Sequence, residues 1–144
     1  MLIGEYTHSL DSKHRLSLPA KFRKELGKKV VATRGLDNCL FMYTLGSWQQ
    51  VVGKLNSLPV GSAQTRGIAR FILAGAVELD IDTAGRVLFP EYLREFAALK
   101  HHVVITGVSD RLEIWDEKRW QEYKKALEGT AVEMAQILGE VGRF

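Results

Sequence analysis

The sequence of 144 residues contains only one cysteine and three prolines. A single cysteine, Cys39, excludes an intramolecular disulfide and every zinc or iron–sulfur site that needs several cysteines. No stretch approaches the roughly 20 apolar residues of a membrane-spanning helix, and residues 1–6 lack the basic and apolar regions of a signal peptide. We therefore expect a cytoplasmic protein without disulfides or membrane contact.

Charge of one sign does not dominate the chain, whose formal net charge is +3. The low net charge and the 46% of hydrophobic residues together exclude a disordered polyelectrolyte. The length and composition are typical of one ordinary domain or two small ones. The charge is nevertheless unevenly distributed, because residues 1–72 carry +7 and residues 73–144 carry −4. The first half is therefore the part suited to an anionic partner.

The two halves of the chain repeat one pattern. Residues 11–19 (DSKHRLSLP) align with residues 82–90 (DTAGRVLFP) at a shift of 71, with the same Asp, Arg and Pro and with apolar residues at the same alternate positions. At a shift of 72 the match continues through Gly35 with Gly107 and Trp48 with Trp120. Such a repeat predicts two structurally similar units.

Each unit is predicted to run strand, turn, strand, short helix, hairpin, helix. In the second half, apolar residues alternate with carboxylates over residues 77–82, which is typical of a half-buried strand. In the first half we expect strands at 4–10 and 15–18 and a hairpin joining 30–33 to 40–43. A unit of about 70 residues buries too little surface to be stable alone, so the halves should interlock.

Helix signals complete this prediction. Pro19 occupies the favoured first position of a helix that Gly27 ends. Ser47 is expected to cap a helix that extends to about residue 58, and residues 65–74 are expected to form a linking helix. The apolar residues of 129–144 suggest a C-terminal helix that is either frayed or docked on a neighbouring molecule.

The repeated Asp-x-x-x-Arg element predicts a rigid turn. The carboxylate of Asp11 or Asp82 accepts backbone N–H groups within its loop, while the arginine pairs with it or projects outward. Such a turn with its salt bridge can be purely structural. The first copy also concentrates cations suited to phosphates and guanine edges, at the loop tip and on the following helix: Lys13, His14, Arg15, Lys21, Arg23 and Lys24.

Two other functions are compatible with the residues. Glu78, Asp80 and Asp82 could hold a divalent metal in an enzyme, although ordinary alternation on a solvated sheet face explains these carboxylates better. Alternatively, four aromatic residues could form interface patches of a structural ring or a protein-interaction module: Trp48, Trp120, Trp115 and Tyr43. Paired aromatics at equivalent positions of a repeat are, however, more often anchors of the core. The sequence has no P-loop or dinucleotide-binding glycine pattern.

The repeated motif, both prolines and both hairpins together resemble the MraZ family, bacterial proteins with two SpoVT/AbrB-type modules in tandem. The similarity covers nearly the whole chain, including residues 8–23, 79–90 and 112–115. It implies an α+β fold, mainly β with short peripheral helices, in which two interlocked swapped-hairpin halves form a double-split β-barrel. Its expected boundaries are module 1 at 5–47, a helical connector at 48–75, module 2 at 76–119 and a helical tail at 120–144.

The resemblance also implies a DNA-binding transcriptional regulator and not an enzyme. Such a protein forms a homo-oligomeric ring, associates with the nucleoid, and binds direct repeats in double-stranded DNA upstream of the division and cell-wall gene cluster. No cofactor, metal, catalytic residue, small-molecule substrate or membrane partner is implied.

Individual residues carry over as follows. Arg15 and Arg86 match the arginine of the motif, so Arg86 joins the predicted DNA-binding residues, and Lys13 matches the basic loop position. In the second module Ala84 replaces the equivalent of Lys13. The family pattern in the first loop is Asp-x-Lys-Gly-Arg, and here His14 stands in place of the glycine, which indicates either a slightly strained turn or a turn of different construction.

Overall fold

The computed structural model describes residues 1–142 and has mixed α and β structure. The elements follow in the order β1 (Leu2–Ser9), β2 (Arg15–Ser17), α1 (Ala20–Leu26), β3 (Lys29–Arg34), β4 (Leu40–Thr44), α2 (Leu45–Asn56), α3 (Ala63–Ala74), β5 (Val77–Asp80), β6 (Arg86–Leu88), α4 (Glu91–Phe96), β7 (His102–Ser109), β8 (Leu112–Asp116) and α5 (Glu117–Glu140). Apart from small shifts in bounds, this is the order of elements that the repeat predicts for each half.

The main sheet is built from both halves. Its six strands lie in the order β1-β7-β8-β4-β3-β5, and every neighbouring pair is antiparallel. The first strand of each half pairs with a strand of the other half, β1 with β7 and β5 with β3. The expected interlocking is therefore confirmed, because removing either half would leave an outer strand of the other without its partner.

The sheet has two free edges, β1 and β5, so the barrel is not closed by hydrogen bonds within the described residues. The remaining two strands, β2 and β6, form a separate antiparallel ribbon. The α+β class with a mostly β centre and peripheral helices is confirmed. The two modules are related by pseudo-twofold symmetry, since both the ribbon and the central β4–β8 pair consist of equivalent strands.

One apolar core joins the ribbon to the sheet. Its largest fully buried side chains come from both halves: Phe22, Phe89, Leu16, Leu18, Leu40, Met42, Leu93, Ile105, Leu112, Ile114, Val30 and Val87. A second buried cluster on the other side of the sheet includes Cys39, Tyr43 and Trp115, with Trp48 and Trp120 packed against it. Trp48 and Trp120, which are equivalent in the repeat, therefore anchor this second cluster. Burial of their large apolar surfaces helps to offset the conformational entropy that the chain loses on folding.

The helix limits differ in detail from those predicted. Helix α2 begins three residues before the expected start, because its N-cap is Thr44, whose Oγ1 accepts a hydrogen bond from the backbone N–H of Ser47 at 3.1 Å. Ser47 thus donates to the cap and is not itself the cap. Helix α1 begins at Ala20, one residue later than predicted, because Pro19 is its N-cap and not its first helical residue. It ends before Gly27 (φ +75°), as the sequence predicts. None of the described helices is long and apolar enough to cross a membrane.

Helix α5 is longer than expected and has two different halves. Its first turns pack on the sheet, where Trp120 and Tyr123 contact the ring of Trp115 and Trp120 Nε1 donates to Glu5 Oε2 at 3.0 Å. The second half exposes apolar side chains to solvent, as does the residue that follows the helix: Val132, Met134, Ile137, Leu138 and Val141. The predicted C-terminal helix is present to Glu140, and residues 143–144 lie outside the described part of the chain.

Candidate nucleic-acid interface

The first Asp-x-x-x-Arg loop is organised around one carboxylate. Asp11 Oδ1 accepts the backbone N–H groups of Lys13 at 2.9 Å and Arg15 at 2.8 Å, and Oδ2 accepts Nε of Arg15 at 2.7 Å. The backbone of the loop closes on itself, because Asp11 N donates to the carbonyl of Arg15 at 3.0 Å. The carboxylate therefore fixes both the backbone of the turn and the direction of the arginine.

The second loop repeats this arrangement. Asp82 Oδ1 accepts the backbone N–H groups of Ala84 at 3.0 Å and Arg86 at 2.8 Å, and Oδ2 accepts Nε of Arg86 at 2.8 Å. Asp82 N donates to the carbonyl of Arg86 at 2.9 Å. The predicted loop-structuring geometry is thus present in both copies, although Lys13 of one corresponds to Ala84 of the other.

Hydrogen bonding strongly favours the charged form of both carboxyl groups. The backbone N–H of Arg15 is the main cause that lowers the pKa of Asp11 to about 2, with further contributions from the Arg15 side chain and the Lys13 N–H. The equivalent contacts from Arg86 also lower the pKa of Asp82 below its ordinary value. Both loops therefore keep their carboxylates ionised at neutral pH.

His14 occupies the glycine position without changing the turn. Its φ is 62° and that of Gly85 in the second loop is 80°, so both residues are in the left-handed region. His14 N donates to the Asp11 carbonyl at 2.9 Å, and Gly85 N makes the same contact with Asp82. The first turn therefore has the same geometry as the glycine-containing second turn, with a non-glycine residue in a costly backbone conformation.

The two arginines point to the same face of the β2–β6 ribbon. Arg15 pairs with Leu88 and Arg86 pairs with Ser17, while Leu16 pairs with Val87 between them. Directly paired residues of an antiparallel ribbon share a face, and successive residues alternate. Because Leu16 and Val87 are buried in the core, the face that carries both arginines is directed outward.

Each guanidinium is partly committed and partly available. Arginine has five N–H donors, of which Nε is held by the loop carboxylate. Between residues 1 and 142 no hydrogen bond engages the terminal Nη atoms of Arg15 or Arg86. The side chains are 29% and 33% exposed, respectively. The outer face of the ribbon therefore carries two guanidinium groups whose orientation is fixed through Nε and whose Nη donors are available to a partner.

The predicted basic residues around the first loop are not equivalent in the structure. Lys13, His14, Lys21 and Lys24 are exposed, and Lys21 Nζ lies 5.5 Å from the centroid of the Tyr6 ring. Arg23 is half-buried, its Nε donates to the Leu18 carbonyl at 3.0 Å, and its side chain lies across the surface towards Gly85 of the second loop.

Sequence reasoning did not identify the other members of the outer ribbon face. Leu88 is 51% exposed and lies opposite Arg15, while Ser17 lies opposite Arg86. The pseudo-symmetry of the repeat was the available signal, because a two-stranded ribbon formed by equivalent segments fixes which residues lie opposite each other. Leu88, a large apolar residue exposed beside the two arginines, is suited to contact with the methyl group of a thymine.

The carboxylates considered for a metal site do not converge. Within residues 1–142 there is no group of three or more His, Cys, Asp or Glu side chains placed to hold a metal ion. Asp82 is committed to its loop, and Asp80 lies within 3.6 Å of Lys29 Nζ on the sheet edge.

Two tandem modules that share a sheet and present paired Asp–Arg loops define a class of duplicated AbrB-like proteins. The family model described as "MraZ protein, putative antitoxin-like" matches the chain twice, over residues 1–71 and 72–136. The chain therefore belongs to the MraZ family.

Full-length relatives support this assignment. The Transcriptional regulator MraZ of Caldanaerobacter subterraneus subsp. tengcongensis is 49% identical over 138 residues, which cover 96% of each chain. That of Caldicellulosiruptor saccharolyticus is 50% identical over 143 residues, and that of Syntrophomonas wolfei is 46% identical over 142 residues, each covering 99% of both chains. These relatives carry the name of a transcriptional regulator, and the matches cover 96% to 99% of each chain.

Proposed function

We propose that this protein regulates transcription by binding double-stranded DNA through the outer face of the β2–β6 ribbon. The observation that carries the proposal is the common orientation of Arg15 and Arg86, whose terminal donors lie on one outward surface. A two-stranded ribbon fits the major groove, where arginine donates to guanine O6 and N7. We assign Arg15 and Arg86 to base recognition.

The surrounding cations have a different role in this proposal. Lys13 and His14 at the loop tip and Lys21 and Lys24 on α1 are exposed and contact phosphates, which position the protein without reading sequence. Arg23, which the sequence also predicted to bind DNA, is not assigned a phosphate here, because its Nε is bonded to the Leu18 carbonyl. Because Lys13 and Lys24 have no cationic equivalents at Ala84 and Glu95, the first module supplies most of the phosphate contacts.

We further propose that the protein acts as a homo-oligomeric ring on direct repeats upstream of the division and cell-wall gene cluster, in the cytoplasm and on the nucleoid. The exposed apolar second half of α5 supports self-association, because an unpaired apolar surface of this kind is typical of interaction sites. Neighbouring subunits would present the same ribbon at regular intervals. Binding to several boxes then raises affinity through effective concentration, by about 10²- to 10⁴-fold over a single box.

The test begins with selection of preferred sequences from random DNA, followed by titration of one to four copies of the selected box. Arg15→Ala is expected to cost about 1–3 kcal/mol of binding free energy and to relax base preference at one position. Lys24→Ala should weaken binding to all sequences and reduce the slope of log K against log salt by about one.

Lys54→Ala is the matched control, because Lys54 is exposed on α2, away from the ribbon. It should leave affinity and salt dependence unchanged. The proposal is wrong if Arg15→Ala binds the selected DNA with the affinity and base preference of the wild type. Equal affinity per box for one and four boxes would contradict the oligomer part alone.

A further inference from the structure

Arg23 of the first module covers the tip of the second module's loop. Gly85 is buried, and a Cβ atom placed on it would overlap the guanidinium carbon and Nε of Arg23 and lie 2.8 Å from its Cδ. Gly85 therefore lacks a side chain at the point where a side chain from the other half crosses its backbone.

Leu18 connects the same two elements through its backbone. Its N–H donates to the Gly85 carbonyl at 2.9 Å, and its carbonyl accepts Nε of Arg23 at 3.0 Å. Leu18 therefore bonds both to the second loop and to Arg23. Together these contacts hold the end of β2, the start of α1 and the second loop to one another. The second loop is fixed by the first module as well as by its own Asp82.

The first loop has no equivalent clamp. His14 stands at the position of Gly85 and is exposed, while Arg94 stands at the position of Arg23. Across residues 1–142 no hydrogen bond joins Phe89 N to the His14 carbonyl, and none engages the side chain of Arg94. The pseudo-symmetry of the two loops is therefore broken at this contact.

We propose that Arg23 is a positioning residue that clamps the second loop and so holds Arg86 in the orientation required beside Arg15. The inference rests on the proposed function, since the benefit of a fixed loop is realised on binding. A loop that is ordered before binding loses less conformational entropy when it meets its partner. Arg23 then contributes to DNA affinity through Gly85 and Leu18, and not as a phosphate ligand.

Two substitutions separate these roles. Arg23→Lys keeps the positive charge but replaces the planar guanidinium, whose Nε bonds to Leu18 and whose flat group lies against Gly85, with a flexible ammonium. Arg23→Ala removes both charge and clamp. If Arg23 positions the loop, both variants behave alike; if it binds phosphate, Arg23→Lys retains wild-type affinity.

The first measurement is backbone hydrogen exchange in the DNA-free, full-length protein. Both variants should accelerate exchange of the amides of Ala84, Gly85 and Arg86, by roughly tenfold, because loss of the clamp favours local opening. Arg94→Ala is the matched control at the equivalent site in the other half, and it should leave these amides unchanged. Unchanged exchange in Arg23→Ala would overturn the clamp.

The second measurement is DNA titration at several salt concentrations. Both Arg23 variants should lose affinity by a similar factor, roughly three- to tenfold, with a salt slope equal to that of the wild type. A reduced slope in Arg23→Ala with wild-type affinity in Arg23→Lys would make Arg23 a phosphate ligand and overturn the proposal. The wild type could also bind no DNA while both Arg23 variants still show faster exchange in the second loop. The contact between Arg23 and the loop would then be real, but the proposed DNA function would be wrong. The proposed role of Arg23 in presenting Arg86 to DNA would then be wrong as well.

A double-mutant cycle measures the coupling between Arg23 and Gly85 in the free energy of unfolding. A role of Arg23 limited to binding phosphate would produce no such coupling. Gly85→Ala introduces a methyl group where Arg23 lies and also strains the positive φ of this residue. In the Arg23→Ala background only the φ strain remains, so Gly85→Ala should lower stability less there than in the wild type. Additive effects of the two substitutions would contradict direct contact between the two groups.

Discussion

Arg15 and Arg86 lie 71 positions apart in the chain and project from opposite ends of the same face of the β2–β6 ribbon. Each is held through Nε by the aspartate four residues before it. The outer face therefore has approximate twofold symmetry in its arginines, although the cations around them are concentrated in the first module. In the proposed function, the two arginines of this face would read two positions of one DNA site with equivalent donors.

Replacing the second arginine tests whether both ends of the ribbon read bases. We expect Arg86→Ala to cost about 1–3 kcal/mol of binding free energy and to relax base preference at a position different from that affected by Arg15→Ala. Competition titrations against single-base variants of the selected box measure both effects. If Arg86→Ala left every base preference intact, only the first module would read sequence.

The acid titration of the first loop follows from the contacts of Asp11. Its pKa of about 2 lies below the ordinary 3.8, so its stabilising effect is complete above the ordinary value and is lost as pH falls through about 2. Carboxyl carbon shifts recorded by NMR should show this titration. Arg15→Ala should raise the pKa only part of the way, because the backbone N–H of residue 15, the main cause, is retained. A titration of the folded wild type near 3.8 would contradict the observed hydrogen bonds.

His14 provides a test of backbone strain in the first loop. Because its φ is positive, a β-branched residue is strongly disfavoured there, and we expect His14→Val to destabilise the fold by about 1–2 kcal/mol. His14→Gly should differ from the wild type by less than about 1 kcal/mol, since relief of strain is offset by the greater freedom of glycine in the unfolded chain. Urea unfolding measures both.

The neighbouring substitution Lys13→Val controls for the change to a valine side chain in the His14 experiment, because Lys13 is also exposed and does not have a positive φ. It should cost less than His14→Val. Equal losses for the two valine variants would mean that the left-handed conformation of residue 14 carries no measurable penalty in solution.

Self-association through α5 can be tested at one exposed position. Ile137 is 62% exposed, so Ile137→Asp should leave the fold of the subunit intact while it weakens an apolar contact between subunits. Light scattering after size-exclusion chromatography is expected to show a smaller assembly. Gln136→Asp, an exposed neighbour on the same helix, should keep the wild-type mass. An unchanged mass for Ile137→Asp would place the subunit contact elsewhere.

Much of the candidate site follows from local sequence. An aspartate that accepts N–H groups two and four residues ahead needs only short-range geometry, so both loops were predictable from Asp-x-x-x-Arg. The alternation that buries Leu16 and Val87 was visible for the same reason. The early start of α2 was not, because either Thr44 or Ser47 can supply an N-cap and only the packed structure selects between them.

The local turns, the alternating burial and the tandem duplication are thus properties of the sequence itself. The tertiary structure alone determined that β1 and β5 cross to the opposite half, that Arg15 and Arg86 share a face, and that Arg23 lies over Gly85. Backbone hydrogen bonds between strands have the same chemistry whichever distant strand supplies them, so they do not specify the pairing. Burial of the shared apolar core selects the pairing instead. Contacts between residues far apart in the chain are fixed only when that core forms.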